Sequence, residues 1–212
     1  MDLERVRRES GSPVVAAKGD LEAVCQDLSA AFAEDPLLNW LLRQDSRRHR
    51  ARLAFFRMEI PHEAFRIGEI ERPQAGGGAA LWFPSERLGP NPLSVRLRAI
   101  TMFLGACGPP RFPRVLALRE AMDRRHPMDR PHDYLWMLGV RPEVQGRGVG
   151  SGLLKARLDR LDVQGRPAFL ETSVTRSLSL FRRHGFVVID EYRPAPSGPT
   201  IWSMWRDPWP PG

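Results

Sequence analysis

The residues with the clearest chemical potential form one run, Val144-Gln145-Gly146-Arg147-Gly148-Val149-Gly150-Ser151. Three glycines alternate there, between an apolar segment and a leucine-faced one. Glycine admits positive φ and carries no side chain to hold a ligand away. Successive main-chain N–H groups can therefore turn toward one concave site. A helix starting at that point adds its unpaired N–H groups and positive dipole end. Such a cradle suits a diphosphate. Two better-known phosphate loops do not fit. A P-loop ends in Gly-Lys-Ser/Thr, whereas Gly152 is followed by Leu153. A dinucleotide fingerprint places Gly-x-Gly-x-x-Gly directly after a strand. Here Ser151 holds the third glycine's place, residues 141–145 intervene, and no early βαβ unit precedes the run. A glycine turn without a ligand is the plain alternative.

The elements that must position this run can be read on either side of it. Residues 134–140 are continuously apolar (Tyr-Leu-Trp-Met-Leu-Gly-Val), as expected for a strand covered on both faces. Leu153, Leu154, Leu158 and Leu161 share one side of a helix over 152–161. A short strand at 168–172 follows, then a short helix at 177–183 closed by Gly185. Strands at 186–192 and 201–205 are joined by a turn rich in Pro and Gly. Upstream, 13–17 reads as a strand and Asp20 as the N-cap of a helix. The buried face of that helix is Leu21, Val24, Cys25, Leu28, Ala31 and Phe32, and Asp35-Pro36 is its stop. Ser46 is expected to cap a second helix running through Phe55 and Phe56 to Pro61. The alternation over 66–72 and the run 79–83, joined by Gly76-Gly77-Gly78, predict a hairpin. Two helices, over 94–104 and 113–125, flank Gly108-Pro109-Pro110. The order is mixed α and β without a dividing linker, so residues 1–212 are expected to form one domain.

Composition bounds the rest. With 212 residues, 42% hydrophobic and 27% charged, the chain is long enough and apolar enough for a full core. Disordered, collagen-like and disulfide-scaffold classes are excluded. No apolar run approaches the roughly 20 residues of a membrane span, and the charged N-terminal residues are unlike a signal peptide, so no membrane partner is expected. Cys25 and Cys107 are the only cysteines, too few for a zinc site, and no metal is expected. Their scarcity fits a reducing cytoplasm. The net charge is +7, and Lys18 and Lys155 are the only lysines among 32 basic residues. Such an arginine bias fits nucleic acid, an anionic cofactor or genome composition. The arginine clusters are scattered and interleaved with acids or histidines, which reads as solvated surface rather than a nucleic-acid site.

Gln145-Gly146-Arg147-Gly148-Val149-Gly150 resembles the Gln/Arg-x-x-Gly-x-Gly signature of the GNAT superfamily of acyl-CoA N-acyltransferases. As in that family, it sits after an apolar segment ending Leu-Gly-Val and before a leucine-faced helix. Phe181-Arg182-Arg183-His184-Gly185-Phe186 resembles the family's aromatic-x-x-x-Gly-Phe segment. Ala31-Phe32-Ala33-Glu34-Asp35-Pro36, Trp82-Phe83-Pro84, Leu170-Glu171-Thr172-Ser173 and Trp202-x-Met204-x-Arg206-x-Pro208 resemble the puromycin N-acetyltransferase-like branch. The likeness thus covers almost the whole chain. It implies a mixed α/β fold with a mostly antiparallel sheet flanked by helices. Two parallel strands, 134–140 and 168–172, would start together and splay apart. Acetyl-CoA would lie in that wedge as cosubstrate. Main-chain groups near Leu138, Gly139 and Val140 would pair with its pantetheine amides as an added strand does. Amides of Gln145, Gly146, Arg147, Gly148, Val149, Gly150 and Ser151 would hold its diphosphate, with Ser177 and Phe181 along the same cofactor.

The reaction this implies is direct transfer of an acetyl group to an amine. A strand N–H would face the thioester oxygen, where negative charge grows. An ammonium has no lone pair, so a base must take its proton. Glu171 is a candidate, acting through a water; an arginine-paired structural carboxylate is the alternative. His132 is a second candidate, although a lone histidine more often serves structure. Glu59 and Glu63 could meet a substrate from the second helix. The family's usual proton donor to the leaving thiolate is a tyrosine where this chain has Phe181. Tyr134 and Tyr192 are its only tyrosines. Val174 and Ser177 stand where relatives often carry asparagine. The helices over 94–104 and 113–125 are expected to wall an acceptor pocket. Trp40, Phe55, Phe56, Met102 and Phe103 would either line it or fill the core. The expected acceptor is a small-molecule amine. Phe181 leaves open an acyl-CoA-binding protein of weak or no activity, and a protein amine is the other alternative.

Overall fold

The computed structural model describes residues 2–61, 65–89 and 103–210. Helix α1 (Leu3–Ser10) was not expected from the apolar pattern, since only Val6 and Ser10 of it are buried; Asp2 caps it by accepting from the Arg5 N–H. Strand β1 (Val14–Val15) is shorter than the expected 13–17. Asp20 does not cap the next helix, α2 (Leu21–Ala31). Its carboxylate accepts from the Ala17 N–H at 2.9 Å and pairs with Arg72, closing a 3-10 turn ahead of the helix. Asp35-Pro36 opens a helix, α3 (Pro36–Leu41). Asp35 Oδ1 accepts from the Leu38 N–H at 2.8 Å, and proline at the first position gives up an N–H that would have no partner anyway. Before α4 (Arg48–Glu59), Asp45 rather than Ser46 accepts a main-chain N–H, that of Arg47.

The hairpin forms as β2 (Glu69–Arg72) and β3 (Gly78–Pro84). Most of the helix expected over 94–104, with Met102, lies outside the described residues, as does Glu63. The second of that pair is α5 (Phe112–Asp123). Then come β4 (Asp133–Val140), α6 (Val149–Val163), β5 (Ala168–Thr172), α7 (Thr175–Arg183), β6 (Val187–Tyr192) and β7 (Ile201–Arg206). The strands make one seven-stranded sheet in the order β1-β2-β3-β4-β5-β7-β6. Every pairing is antiparallel except β4 with β5. Among the described residues no helix is long and apolar enough to cross a membrane.

Two cores cover the two faces of the sheet. On one, α2 and α4 pack Leu28, Phe56 and Ile60 against Leu81 and Phe169. Trp40, Phe55 and Phe56 are buried there and so fill the core. On the other, Leu153, Leu154 and Leu161 of α6 meet Leu135 and Leu170. Gly139 lets α2 approach β4 closely: a Cβ there would lie 2.5 Å from Leu28 Cδ2 and 2.9 Å from Phe32 Cε2.

The parallel pair is short. Asp133, Tyr134 and Leu135 align with Ala168, Phe169 and Leu170, and the register stops there. Across the other edge, Leu81 faces Met137 while Trp82 faces Leu135, so Trp136 is an inserted residue in β4. Such a bulge bends and twists its strand. The opposite end is held closed by charge. The buried Asp133 accepts from Arg157 Nη2 of α6 at 2.6 Å and from Arg166 Nε, just before β5, at 2.5 Å. Asp133→Ala would leave two partly buried guanidiniums without this partner. Because Arg157 keeps Glu69 and Glu71 and Arg166 keeps Glu86, urea unfolding at pH 7 is expected to show a loss of about 1–3 kcal/mol; a loss below about 0.5 kcal/mol would mean the clamp contributes little.

Candidate active site

Beyond Leu135 the separation of β4 and β5 opens a groove of about 360 Å³. Its lining comes from both faces of the sheet: Phe32 and Asp35 from the α2–α3 side, Ser151 and Phe181 from the α6–α7 side. Leu138, Gly139 and Val140 of β4 form its floor. Gln145, Gly146, Gly148, Val149, Gly150 and Ser151 bound one end, and Ser177 and Phe181 one wall. Arg147 is exposed and does not line it.

Gly146 and Gly148 have φ of +73° and +83°, and no atom lies within 4 Å of a Cβ built on either. Backbone direction, with open space beyond it, therefore selects glycine at both. Gly148 stands at the start of α6, whose first-turn N–H groups face the same end of the groove. Gln145 braces the loop, its Nε2 donating to the Val140 carbonyl at 2.9 Å. Val149 is buried and anchors the loop in the core. Ser151 Oγ lies 2.7 Å from His184 Nε2, tying the first turn of α6 to the end of α7. His184 was not singled out in the sequence, because its partner is remote in the chain.

Glu171 shares the α2–α4 face of β5 with Phe169 and is not among the residues that line the groove. The Tyr192 hydroxyl donates to its Oε1 at 2.6 Å, Ser203 Oγ lies 3.4 Å from the same oxygen, and Tyr134 Oη lies 3.5 Å from Oε2. Its hydrogen-bond partners are hydroxyls, not a guanidinium. Burial pushes its pKa up to about 7, while the bond from Tyr192 and the other hydroxyls hold it down. Both tyrosines of the chain thus converge on one carboxylate. Arg125 lies over the Tyr192 ring at 4.3 Å and pairs with Asp190.

His132 is placed differently from the expectation. It is fully buried, with Nδ1 2.8 Å from the Arg130 carbonyl and Nε2 3.1 Å from His126 Nε2. Phe169 and Trp205 pack edge-on against its ring. With both nitrogens engaged and the ring outside the groove lining, it is an interior residue at the closed end of the wedge. Burial lowers its pKa and pushes that of His126 down to about 4. A carboxylate missed as a site residue is Asp35, which reads in sequence only as a helix punctuator. It lines the groove while capping α3, and burial raises its pKa. Nearby Ser173 is buried, and its hydroxyl works against that rise.

Residues 114–186 match the model of the acetyltransferase (GNAT) family. The whole architecture is similar to a solved histone acetyltransferase HPA2 and related acetyltransferase from Corynebacterium glutamicum. It is 27% identical, covers 94% of this chain and 98% of that one, and has a TM-score of 0.68. The chain carries a GNAT acetyltransferase fold. Two further structures share it. The Drosophila melanogaster polyamine N-acetyltransferase, which forms N-acetylagmatine, is 18% identical over 92% of this chain and 99% of that one, with a TM-score of 0.59. Arylalkylamine N-acetyltransferase 2 from Aedes aegypti is 13% identical over 92% and 97%, with a TM-score of 0.58. The GNAT family and these neighbours are N-acetyltransferases.

Within this GNAT fold Phe181 is buried in the groove wall, edge-on to Phe186 at 6.0 Å between ring centres. Neither tyrosine of the chain lines the groove. Removing the shortest bond to Glu171 tests what holds that carboxyl near neutrality. In Tyr192→Phe its titration midpoint, followed by carbon-13 NMR of the side-chain carboxyl, is expected to move above about 7; a downward move would mean that the hydroxyl stabilises the neutral form.

Proposed function

We propose that this protein transfers the acetyl group of acetyl-CoA to the amine of a small molecule. The observation that carries the reading is a side-chain-free cradle of main-chain donors at one end of a groove that opens where β4 and β5 part. The residues present fit the coenzyme: a side chain at Gly146 or Gly148 would enter the open space that the diphosphate needs. The segments shared with the puromycin N-acetyltransferase-like branch favour a small acceptor. The amines of the structural neighbours, polyamines and arylalkylamines, supply the first compounds to try. Two free, buried cysteines suit a cytoplasmic setting.

When bound, acetyl-CoA supplies an acyl group on a thiolate leaving group. The N–H groups of residues 146–151 hold the diphosphate. The edge of β4 past Leu135, free of β5, pairs with the pantetheine amides. A β4 N–H beyond the bulge stabilises developing negative charge on the carbonyl oxygen. Glu171 accepts the proton from the amine through a water, and Tyr192, Ser203 and Tyr134 hold the carboxylate in place. Phe181 has no proton to give. A thiol pKa near 8.5 makes solvent protonation of the leaving group feasible. That same absence favours a second reading, an acyl-CoA-binding protein with little turnover.

Thermal stabilisation by acetyl-CoA, followed by thiol release with the amine panel, separates the two. The transferase shows both; stabilisation without release for any amine favours the binder. Gly148→Val is expected to remove the stabilisation, and undiminished coenzyme affinity would take the assignment away from this loop. A base with a pKa near 7 must be ionised to act, so kcat/KM should rise as pH passes upward through about 7. Glu171→Gln is expected to lower kcat/KM by roughly 10²–10⁴-fold and to flatten that rise. A rise that persists in Glu171→Gln would shift the role to Asp35, tested by Asp35→Asn.

A further inference from the structure

Arg176 and Arg183 stand seven residues apart on α7, both on the wall of the groove. Such positions share one helix face, about 10 Å apart along its axis. Neither guanidinium pairs with a carboxylate among the described residues. Elsewhere in the chain Arg5, Arg72, Arg125, Arg157, Arg166 and Arg206 all do. Positive charge that the protein neutralises internally at those sites is here left facing a cavity. The far wall carries Glu34 and Asp35, so the groove is polarised across its width.

The position of Arg183 follows from its neighbour. The bond between Ser151 and His184 holds the end of α7 against the first turn of α6. Arg183 is thereby brought beside the glycine loop, and after burial its charge is the main influence lowering the His184 pKa. Compensation of the helix dipole does not account for the arrangement. Arg182 shares the last turn without lining the groove, and Arg176 lies in the first turn, where a cation is unfavourable.

We propose that Arg176 and Arg183 form a second anion subsite, for a phosphate monoester set apart from the diphosphate cradle, and that they make the protein discriminate 3′-phosphorylated coenzyme A from its dephospho form. This rests on the coenzyme reading above. A phosphate monoester carries about −1.5 to −2 charges near pH 7 and accepts charge-assisted hydrogen bonds from guanidinium groups. Both side chains are exposed, so the preference is sensitive to salt.

Titration calorimetry of the full chain with coenzyme A and with 3′-dephospho-coenzyme A tests it. The unmodified protein is expected to bind coenzyme A about tenfold more tightly. Arg176→Ala and Arg183→Ala each shrink that ratio, and the double variant brings it close to one while leaving affinity for the dephospho form unchanged. Arg182→Ala keeps the ratio, and raising the salt from about 50 mM to about 300 mM narrows it. Equal binding of both forms by the unmodified protein, or a ratio that survives in the double variant, overturns the subsite and leaves the coenzyme reading standing. If neither form binds, the coenzyme reading falls and the subsite with it.

Discussion

A single inserted residue decides what this sheet can do. With Trp136 bulged out of β4, the parallel partnership with β5 lasts for three residue pairs and then ends. The main chain beyond is left without its neighbour in the middle of the sheet, where an unpaired polar backbone is costly unless a partner arrives. Asp133, gripped by Arg157 and Arg166, keeps the other end of the pair shut. Closed at one end and parted at the other, the strands make a wedge. The two cores on either face stay separate and need not collapse into it.

Burial and hydrogen bonding compete at Glu171. Removal from water favours the neutral acid, and three hydroxyls favour the anion. Neither wins outright, which leaves a carboxyl near pKa 7, the range in which a base exchanges protons most readily at neutral pH. Both phenols of the chain are engaged in that balance. At Phe181 the groove wall carries a buried apolar ring.

Much of this was legible from local pattern. The apolar run at 134–140, the glycine alternation and the leucine face behind it are dense signals, and they gave the strand, loop and helix that hold the groove. The polar α1 escaped because its buried side is too small to mark a period. Asp35-Pro36 reads as a helix stop, but α2 already ends at Ala31 and the pair opens α3 instead. His132 has the residue type of a base, but its surroundings, His126, Phe169 and Trp205, come from three other segments. The convergence of residues 134, 192 and 203 on Glu171 is set by strand order and has no trace in spacing. Placing β7 between β5 and β6 is the step that brings it about.

That strand order also bears on how the protein is made. Emerging from the ribosome, β5 and β6 are finished before β7; β5 can join β4, but its other edge and the whole of β6 have no partner until β7 slots between them. Until then the nascent chain shows two open sheet edges, a template for association with neighbouring chains. The hydroxyl cluster around Glu171 therefore waits for Ile201–Arg206, which brings Ser203, and crowded synthesis is the moment at which this molecule is most exposed to aggregation.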